Sequence, residues 1–377
     1  MRIDVVVYSY ERGLGDMGGI RKLLGLAQGF QDLGHSVALI APRFLPLQAS
    51  GLAIVRYGTL PGPILRPLTA YLGMAWAAWR HGRRARPDVI YGRTSRTVLP
   101  ALVARALGAR FFFEMNGDAF GEQGWRGGLV RALTILGADW LNCRLAHRIV
   151  ALTPGLAAMI ERRYGARPAR VRIVPSGTDV TIVRPLPRER CRLALGMPAD
   201  GPVIVFTGVL YDHQGLRTLL ASAPDIVRRA PGAVLLVVGD GPARAGLEAE
   251  ARGRGLEGVA RFVGRVPYER LGLYLGAADC CVAPFTAGRG EASPLKLFDY
   301  MAAGRPVVAS AIPSVTDLIT TSQAIVPVPP DDPARLADAV VALLRDPERG
   351  RLAGEAGRRF VEAHHDWRTL AREILDE

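Results

Sequence analysis

Residues 291–310 read E-A-S-P-L-K-L-F-D-Y-M-A-A-G-R-P-V-V-A-S. Ser293-Pro294 marks a helix start, because proline fits the first helical turn, where its missing N–H leaves no bond unmade. The short apolar run Pro306–Ser310 then reads as a buried strand, so helix leads into strand. Two acids eight positions apart, Glu291 and Asp299, bracket the helix start. One carboxylate falls in a loop and the other about two turns into the helix. Free backbone N–H groups at a helix N-terminus seat a phosphate, and carboxylates accept hydrogen bonds from sugar and ribose hydroxyls. The segment thus offers partners to both ends of a nucleotide-sugar. An amphipathic helix after a loop has the same spacing, and spacing alone does not separate the two readings.

Outward from this segment, strand and helix alternate twice over. Val203–Thr207, Val234–Val238, Ala260–Val263 and Cys280–Ala283 are short apolar runs separated by helical stretches. Upstream, Ile3–Tyr8 reads as a strand, followed by the glycine-rich loop Gly13–Gly19, the helix Ile20–Leu33 and the strand Ser36–Ala41. Val89–Tyr91, Phe111–Met115 and Ile149–Ala151 continue the series. Continuous apolar strands alternating with helices predict parallel sheets covered on both faces. The expected fold class is α/β, with two Rossmann-like domains. Pro185, Pro187 and Pro198 punctuate a charged linker at the seam, which gives an N-terminal domain over 1–185 and a C-terminal domain over 186–362. Ligands of such sheets bind at the carboxyl ends of the strands, so the cleft between two domains is the expected site.

A chain of 377 residues is long enough for two cores, and no run of 18 apolar residues suggests a spanning helix. Cys143, Cys191, Cys280 and Cys281 lack metal-like spacing, and the adjacent pair lies in an apolar segment. A cytosolic, disulfide-free protein is expected. The net charge of +13 is one-sided: residues 1–180 hold 24 Lys+Arg against 11 Asp+Glu, while residues 181–377 hold 24 of each. Such asymmetry points to an anionic partner for the first half, a membrane surface or an acidic acceptor. Nucleic acid is disfavoured, since no reading-head motif or basic-aromatic stripe is present.

Taken together, the motifs resemble the retaining glycosyltransferases of the GT-B fold, in the large family 4 group. The resemblance covers nearly the whole chain: the Gly18-Gly19 loop, L-G-H-S-V at 33–37, V-P-S-G-T-D at 174–179, V-V-G-D-G-P at 237–242, R-F-V-G-R-V at 261–266 and, most specifically, S-P-L-K-L-F-D-Y-M-A-A-G-R-P-V-V-A-S. It implies a C-terminal helix, 363–377, that packs back on the N-terminal domain. It also implies a nucleotide diphosphate sugar (UDP-, GDP- or ADP-sugar) as donor and no required metal or other cofactor. Glu291 would hydrogen-bond the donor sugar and Asp299 the ribose. Backbone N–H groups around Ser293, Pro294, Leu295 and Lys296 would meet sugar or phosphate oxygens. Arg265 and Val266 would line the base pocket with Asp240 and Gly241 nearby, and Gly18 and Gly19 would let backbone approach the phosphates. A front-face reaction is implied, in which the departing diphosphate helps deprotonate the acceptor. No protein nucleophile is then expected, and electrostatic stabilisation of the diphosphate carries most of the catalysis.

Three departures from the family pattern stand out. The diphosphate loop is T-G-V-L-Y-D-H-Q-G, with Val209 and Gln214 after Gly208 where the family carries Arg and Lys. Neutral contacts are about half as strong as charge-assisted ones. Lys296, one of two lysines in a chain with 46 arginines, is placed to compensate; an exposed helix lysine is the alternative. Asp299 replaces the usual Glu. Asn116, in E-M-N-G-D, stands near the family's sugar-orienting His. Nearby Asp118 is a candidate for orienting the acceptor hydroxyl or for a turn, and Arg93 for an acceptor or phosphate contact or a solvated helix start.

Residues 64–86 are apolar with Tyr71, Trp76 and Trp79, then basic with Arg80, Arg83, Arg84 and Arg86. An interfacial helix that meets anionic lipid looks like this; so does a core helix with a solvated end. The interfacial reading implies a lipid-linked acceptor at the inner face of the cytoplasmic membrane. The expected function is therefore transfer of a sugar to a lipid-linked or polysaccharide glycan in cell-surface or exopolysaccharide assembly. The missing loop cations keep a catalytically silent nucleotide-sugar-binding subunit as the rival. A GT-B epimerase or phosphorylase fits less well, because of the Glu291–Asp299 pair and the chain length.

Overall fold

The computed structural model describes residues 1–377 except 7–16, 46, 48–50, 63–64, 94–96, 119, 121–127, 290–292 and 377, together with the side chains of Met17, Gly18 and Arg131. The chain forms two compact units. The first comprises residues 1–176, 291–293 and 367–377, the second 177–290 and 294–366.

The first unit is built on seven parallel strands: β1 (Arg2–Val6), β2 (Ser36–Pro42), β3 (Ala53–Tyr57), β4 (Val89–Arg93), β5 (Arg110–Met115), β6 (Arg148–Ala151) and β7 (Val171–Ile173). Their order is β3-β2-β1-β4-β5-β6-β7. Helices α1 (Met17–Asp32), α2 (Leu65–Ala85), α3 (Leu99–Leu107), α4 (Leu129–Leu145) and α5 (Pro154–Tyr164) supply the crossovers. Gly18 and Gly19 lie in the first turn of α1 and not in the preceding loop, since that helix begins three residues before the apolar periodicity does.

The second unit holds six parallel strands in the order β10-β9-β8-β11-β12-β13. These are β8 (Val203–Thr207), β9 (Val234–Val238), β10 (Ala260–Gly264), β11 (Cys280–Ala283), β12 (Val307–Ser310) and β13 (Ile325–Val328). Its helices are α6 (Arg188–Ala194), α7 (Leu216–Arg229), α8 (Arg244–Gly253), α9 (Tyr268–Gly276), α10 (Leu295–Ala302), α11 (Pro313–Ser322), α12 (Pro333–Arg345) and α13 (Pro347–His364). Every residue of β8, β11 and β12 is buried, as an apolar run between two helical layers requires. Separate cores lie on the two faces of this sheet. The four cysteines are buried and unpaired.

The last helix, α14 (Trp367–Leu375), returns to the first unit and packs on α1. Glycine makes this approach possible. A Cβ on Gly25 would fall 2.4 Å from the Trp367 indole, and one on Gly29 2.4 Å from the Trp367 carbonyl oxygen.

Helix α2 has two apolar faces of different kinds. Small residues with Met74 face the sheet: Ala70, Ala77, Ala78 and Gly82 are buried. Leu65, Leu68, Leu72, Trp76 and Trp79 are 39–57 % exposed. Their spacing of three and four residues places them on one side of the helix. Arg80 lies over the Trp76 ring and Arg83 over Trp79. No helix among the described residues is long and apolar enough to cross a membrane.

Candidate functional site

At the carboxyl edge of the second sheet, three loops are locked together backbone to backbone. Gly208 follows β8 and its N–H donates to the Val238 carbonyl at 3.0 Å; Gly239 follows β9 and its N–H donates to the Gly264 carbonyl at 2.8 Å. Gly208 and Gly239 have φ of 138° and 144°. A Cβ on Gly239 would sit 1.9 Å from the Gly208 oxygen, and one on Gly241 2.6 Å from Leu210 backbone atoms. Only glycine fits both the conformation and the gap. Asp240 is turned to its own chain: one oxygen accepts from the Gly241 N–H at 2.8 Å and the other pairs with Arg244 at 3.2 Å. Arg265 and Val266 follow β10 directly.

Lys296 enters this edge from the first turn of α10. Its ammonium is buried and donates to Gln214 Oε1 at 2.6 Å. It lies 3.7 Å from the Phe206 ring centre and 5.3 Å from that of Phe285. The position of a Cβ on Gly208 is 3.0 Å from Nζ. Loss of hydration drives the Lys296 pKa well below the usual lysine value, and the Arg289 charge pushes in the same direction. Arg289, which the sequence reading passed over, lies over the Phe285 ring and donates to Ser314 Oγ at 3.2 Å. His213 is likewise held below its ordinary pKa, by burial first and then by Arg289 and Lys296. The second unit thus gathers cationic charge at its glycine loops. The loop position where the family carries a lysine, Gln214, holds the acceptor for a lysine arriving from another element.

One turn further along α10, Asp299 is buried on a hydroxyl pair. Its Oδ1 accepts from Thr178 Oγ1 at 2.6 Å and from Tyr268 OH at 3.2 Å, and the two hydroxyls are 2.9 Å apart. Thr178 and Tyr268 were not among the predicted site residues. Thr178 sits in the quoted V-P-S-G-T-D motif, but Tyr268 had no signal beyond its place after a strand. Pro294 caps α10, and Ser293 Oγ accepts from the Ser176 N–H at 3.3 Å. Glu291 lies outside the described residues.

In the first unit, Arg93 ends β4 and Asn116 follows β5, so both stand at the carboxyl edge of their sheet. With the Asn116 amide in the orientation its neighbours demand, its oxygen accepts from Arg93 Nε at 2.7 Å and Nη2 at 2.9 Å. Asp118 is ion-paired with Arg163 of α5. Among the described residues, no three His, Cys, Asp or Glu side chains come together as a metal site.

Residues 18–182 match the family model described as Glycosyltransferase Family 4, and residues 201–346 that described as Glycosyl transferases group 1. D-inositol 3-phosphate glycosyltransferase 2 of Catenulispora acidiphila is 33% identical over 243 residues, covering 61% of this chain and 55% of the relative. GDP-mannose-dependent alpha-(1-6)-phosphatidylinositol monomannoside mannosyltransferase of Mycobacterium tuberculosis is 32% identical over 216 residues, 55% of each chain. The chain spans about half the length of these curated relatives. The crystal structure of HepE from Anabaena, in complex with UDP and glucose, superposes with a TM-score of 0.78 at 18% identity, over 99% of this chain and 98% of that one. With two parallel Rossmann-like sheets, a C-terminal helix returned to the first unit and family matches over both halves, the chain belongs to the group 1, family 4 glycosyltransferases of GT-B fold.

Proposed function

We propose that the protein is a retaining glycosyltransferase that moves a sugar from a nucleotide diphosphate sugar to an acceptor hydroxyl. The observation that carries this reading is the Lys296 ammonium, buried against Gly208 and Gln214 at the edge where open α/β sheets take ligands. A diphosphate there would meet Lys296 and the α10 N-terminus, with Arg289 adding positive potential. Asp299, already fixed by Thr178 and Tyr268, would accept from the ribose hydroxyls, and Glu291 from the sugar. In the reaction the bond from the anomeric carbon to the diphosphate oxygen breaks, and a bond to the acceptor oxygen forms on the same face. The acceptor proton passes to the departing diphosphate. Lys296 stabilises the charge that develops there, and Asn116 orients the sugar. UDP is the first donor nucleotide to test, because the HepE complex holds UDP and glucose.

The acceptor we propose is a lipid-linked or polysaccharide glycan in cell-surface or exopolysaccharide assembly. The exposed stripe of α2, with arginines over its tryptophans, suits an anionic bilayer surface. That would make the protein cytoplasmic and peripheral at the inner face of the membrane. The Mycobacterium tuberculosis relative, named for phosphatidylinositol monomannoside, supports an acceptor of this kind.

A thermal-shift panel of UDP, GDP, ADP and TDP identifies the nucleotide, since a ligand of the native state raises its melting temperature. Release of that nucleotide from its sugar is then followed in wild type, Glu291→Ala and Asp299→Ala. Most turnover should be lost in each variant. Near-normal turnover in both would overturn the site assignment, and binding without any release by wild type would favour the silent subunit.

A further inference from the structure

Behind Asn116 lies a buried network that the proposed reaction does not use directly. Lys22, in α1, is 3 % exposed, and its ammonium pairs with Glu114 Oε2 at 3.1 Å. Glu114, on β5, is 1 % exposed. The hydroxyl of buried Tyr91 donates to the same oxygen, and the Asn116 amide nitrogen donates to Oε1. We infer that Glu114, ion-paired with Lys22, is a positioning residue: it sets the orientation of the Asn116 amide and, through it, the direction of the Arg93 guanidinium. The inference rests on the reading that Asn116 and Arg93 serve the sugar and the acceptor.

A carboxylate can only accept hydrogen bonds, so an amide beside it must present its NH2 group. The amide oxygen is then forced to the opposite side, where two guanidinium nitrogens of Arg93 converge on it. A neutral group at 114 would impose no such order, because a carboxamide or carboxylic acid can donate as well as accept.

The choice of lysine at 22 follows from the same geometry. The chain uses arginine for 46 of its 48 cations. An arginine fork takes both oxygens of a carboxylate, whereas an ammonium is a point donor. At Lys22 the ammonium pairs with Oε2 and leaves Oε1 to Asn116. A buried ion pair kept only for stability would have little advantage over apolar residues of similar volume.

The chain has only two asparagines, Asn116 and Asn142, and Asn142 donates to the Thr97 carbonyl at 3.1 Å. Asparagine-selective 15N labelling therefore gives two side-chain signals, one of them an internal reference. Glu114→Gln and Lys22→Arg should each shift the Asn116 amide signal and speed its hydrogen exchange, with Asn142 unchanged. Both variants should lower kcat for nucleotide release by about 10- to 100-fold, as a misplaced group does. Nucleotide Kd, set in the other unit, should stay within about twofold of wild type, the ground-state binding being untouched. The double variant Glu114→Gln/Lys22→Met removes both charges, which guards against misfolding from one unpaired ion, and should lose the same turnover. An unmoved Asn116 signal in the two single variants overturns the positioning role whatever the activity. Full rescue of turnover by Lys22→Arg, or by the double variant, also overturns it, because a structural ion pair predicts that rescue. A wild type without nucleotide release refutes the proposed reaction instead, and the amide signals still decide whether Glu114 orients Asn116.

Discussion

Lys296→Met moves two observables in opposite directions. In the free protein the ammonium is buried against Phe206, bonded to Gln214 and repelled by Arg289. Taking an ion of this size out of water costs several kcal/mol. One charge-assisted bond returns about 1.5–3 kcal/mol and a desolvated cation–π contact up to about 2 kcal/mol. The terms largely offset one another, and the lowered pKa shows that the balance lies on the side of cost. Methionine keeps the reach and packs on aromatic rings without the charge. The free variant should gain about 1 kcal/mol, which raises the melting temperature of a chain of this length by about 1–2 °C. Towards a nucleoside diphosphate the sign reverses. Loss of a charge-assisted bond costs about 1.5–3 kcal/mol, or roughly 10- to 150-fold in Kd, while the nucleoside alone should bind as before. The pH dependence separates the two effects further. A depressed lysine pKa means that the unfolded chain binds this proton more tightly. Stability therefore rises as pH climbs from the lowered pKa towards 10.5. Diphosphate restores the proton, so its binding takes one up and weakens over the same range. Both slopes should vanish in Lys296→Met. Calorimetry with UDP and uridine at several pH values, alongside thermal denaturation, reads all four quantities. A variant that melts lower than wild type yet keeps the wild-type preference for UDP over uridine would show a structural lysine and refute the reasoning.

Three further outcomes are expected. Asp299→Asn should weaken UDP binding about tenfold and 2′-deoxy-UDP much less, with Thr178→Val giving a smaller loss of the same discrimination, since each removes part of one hydrogen-bond set; equal losses for both nucleotides would dismiss the ribose role. Asp4, buried on β1 with His81 Nε2 at 3.4 Å, has its pKa raised to about 7 by burial. The folded state there binds the proton more tightly than the unfolded chain, so stability should fall as pH rises from about 4 to about 7. Asp4→Asn should flatten that fall in denaturant titrations at pH 5 and 8. In Gly29→Ala the new methyl meets the Trp367 carbonyl at 2.4 Å, a backbone contact that cannot yield cheaply. A loss of about 1–3 kcal/mol and faster tryptic cleavage within α14 should follow. Gly137→Ala, with open space around it in α4, should instead gain up to about 1 kcal/mol.

The sheet centres were legible in the sequence because their strands are continuous apolar runs. Val203–Thr207, Val234–Val238 and Cys280–Ala283 have the same ends in the structure as in the sequence reading. The three strands that were missed, β3, β7 and β13, are all edge strands. Each carries partly exposed residues, and β13 contains Pro327. An edge strand is covered by less protein, so its apolar run is shorter and its signal resembles a loop. The residues proposed for the donor side stood out in the sequence for a different reason, the density of glycine and of unusual residue types around them. Tyr268, Arg289 and the Lys22–Glu114 pair were not, because their roles depend on side chains brought together from distant elements. Helix α2 stood between two readings for lack of a face assignment. With alanines and Met74 inward and leucines and tryptophans outward, the packed-helix reading holds for one side and an exposed apolar stripe occupies the other.

Two of the departures from the family pattern in the second unit, Gln214 and Asp299, are each met by a neighbour. Gln214, in place of a loop lysine, would leave that loop without a cation, yet its carbonyl oxygen anchors the Lys296 ammonium from α10. Asp299, one methylene shorter than glutamate, is held by two hydroxyls, Thr178 and Tyr268, that fix where its carboxylate stands. The Gln214–Lys296 contact and the anchored Asp299 carboxylate are what the proposed diphosphate and ribose site requires. The coupling can be measured directly. In a double-mutant cycle, Gln214→Leu and Lys296→Met should show an interaction energy of about 1 kcal/mol or more for UDP binding. Strict additivity would mean that the contact plays no part in holding the nucleotide.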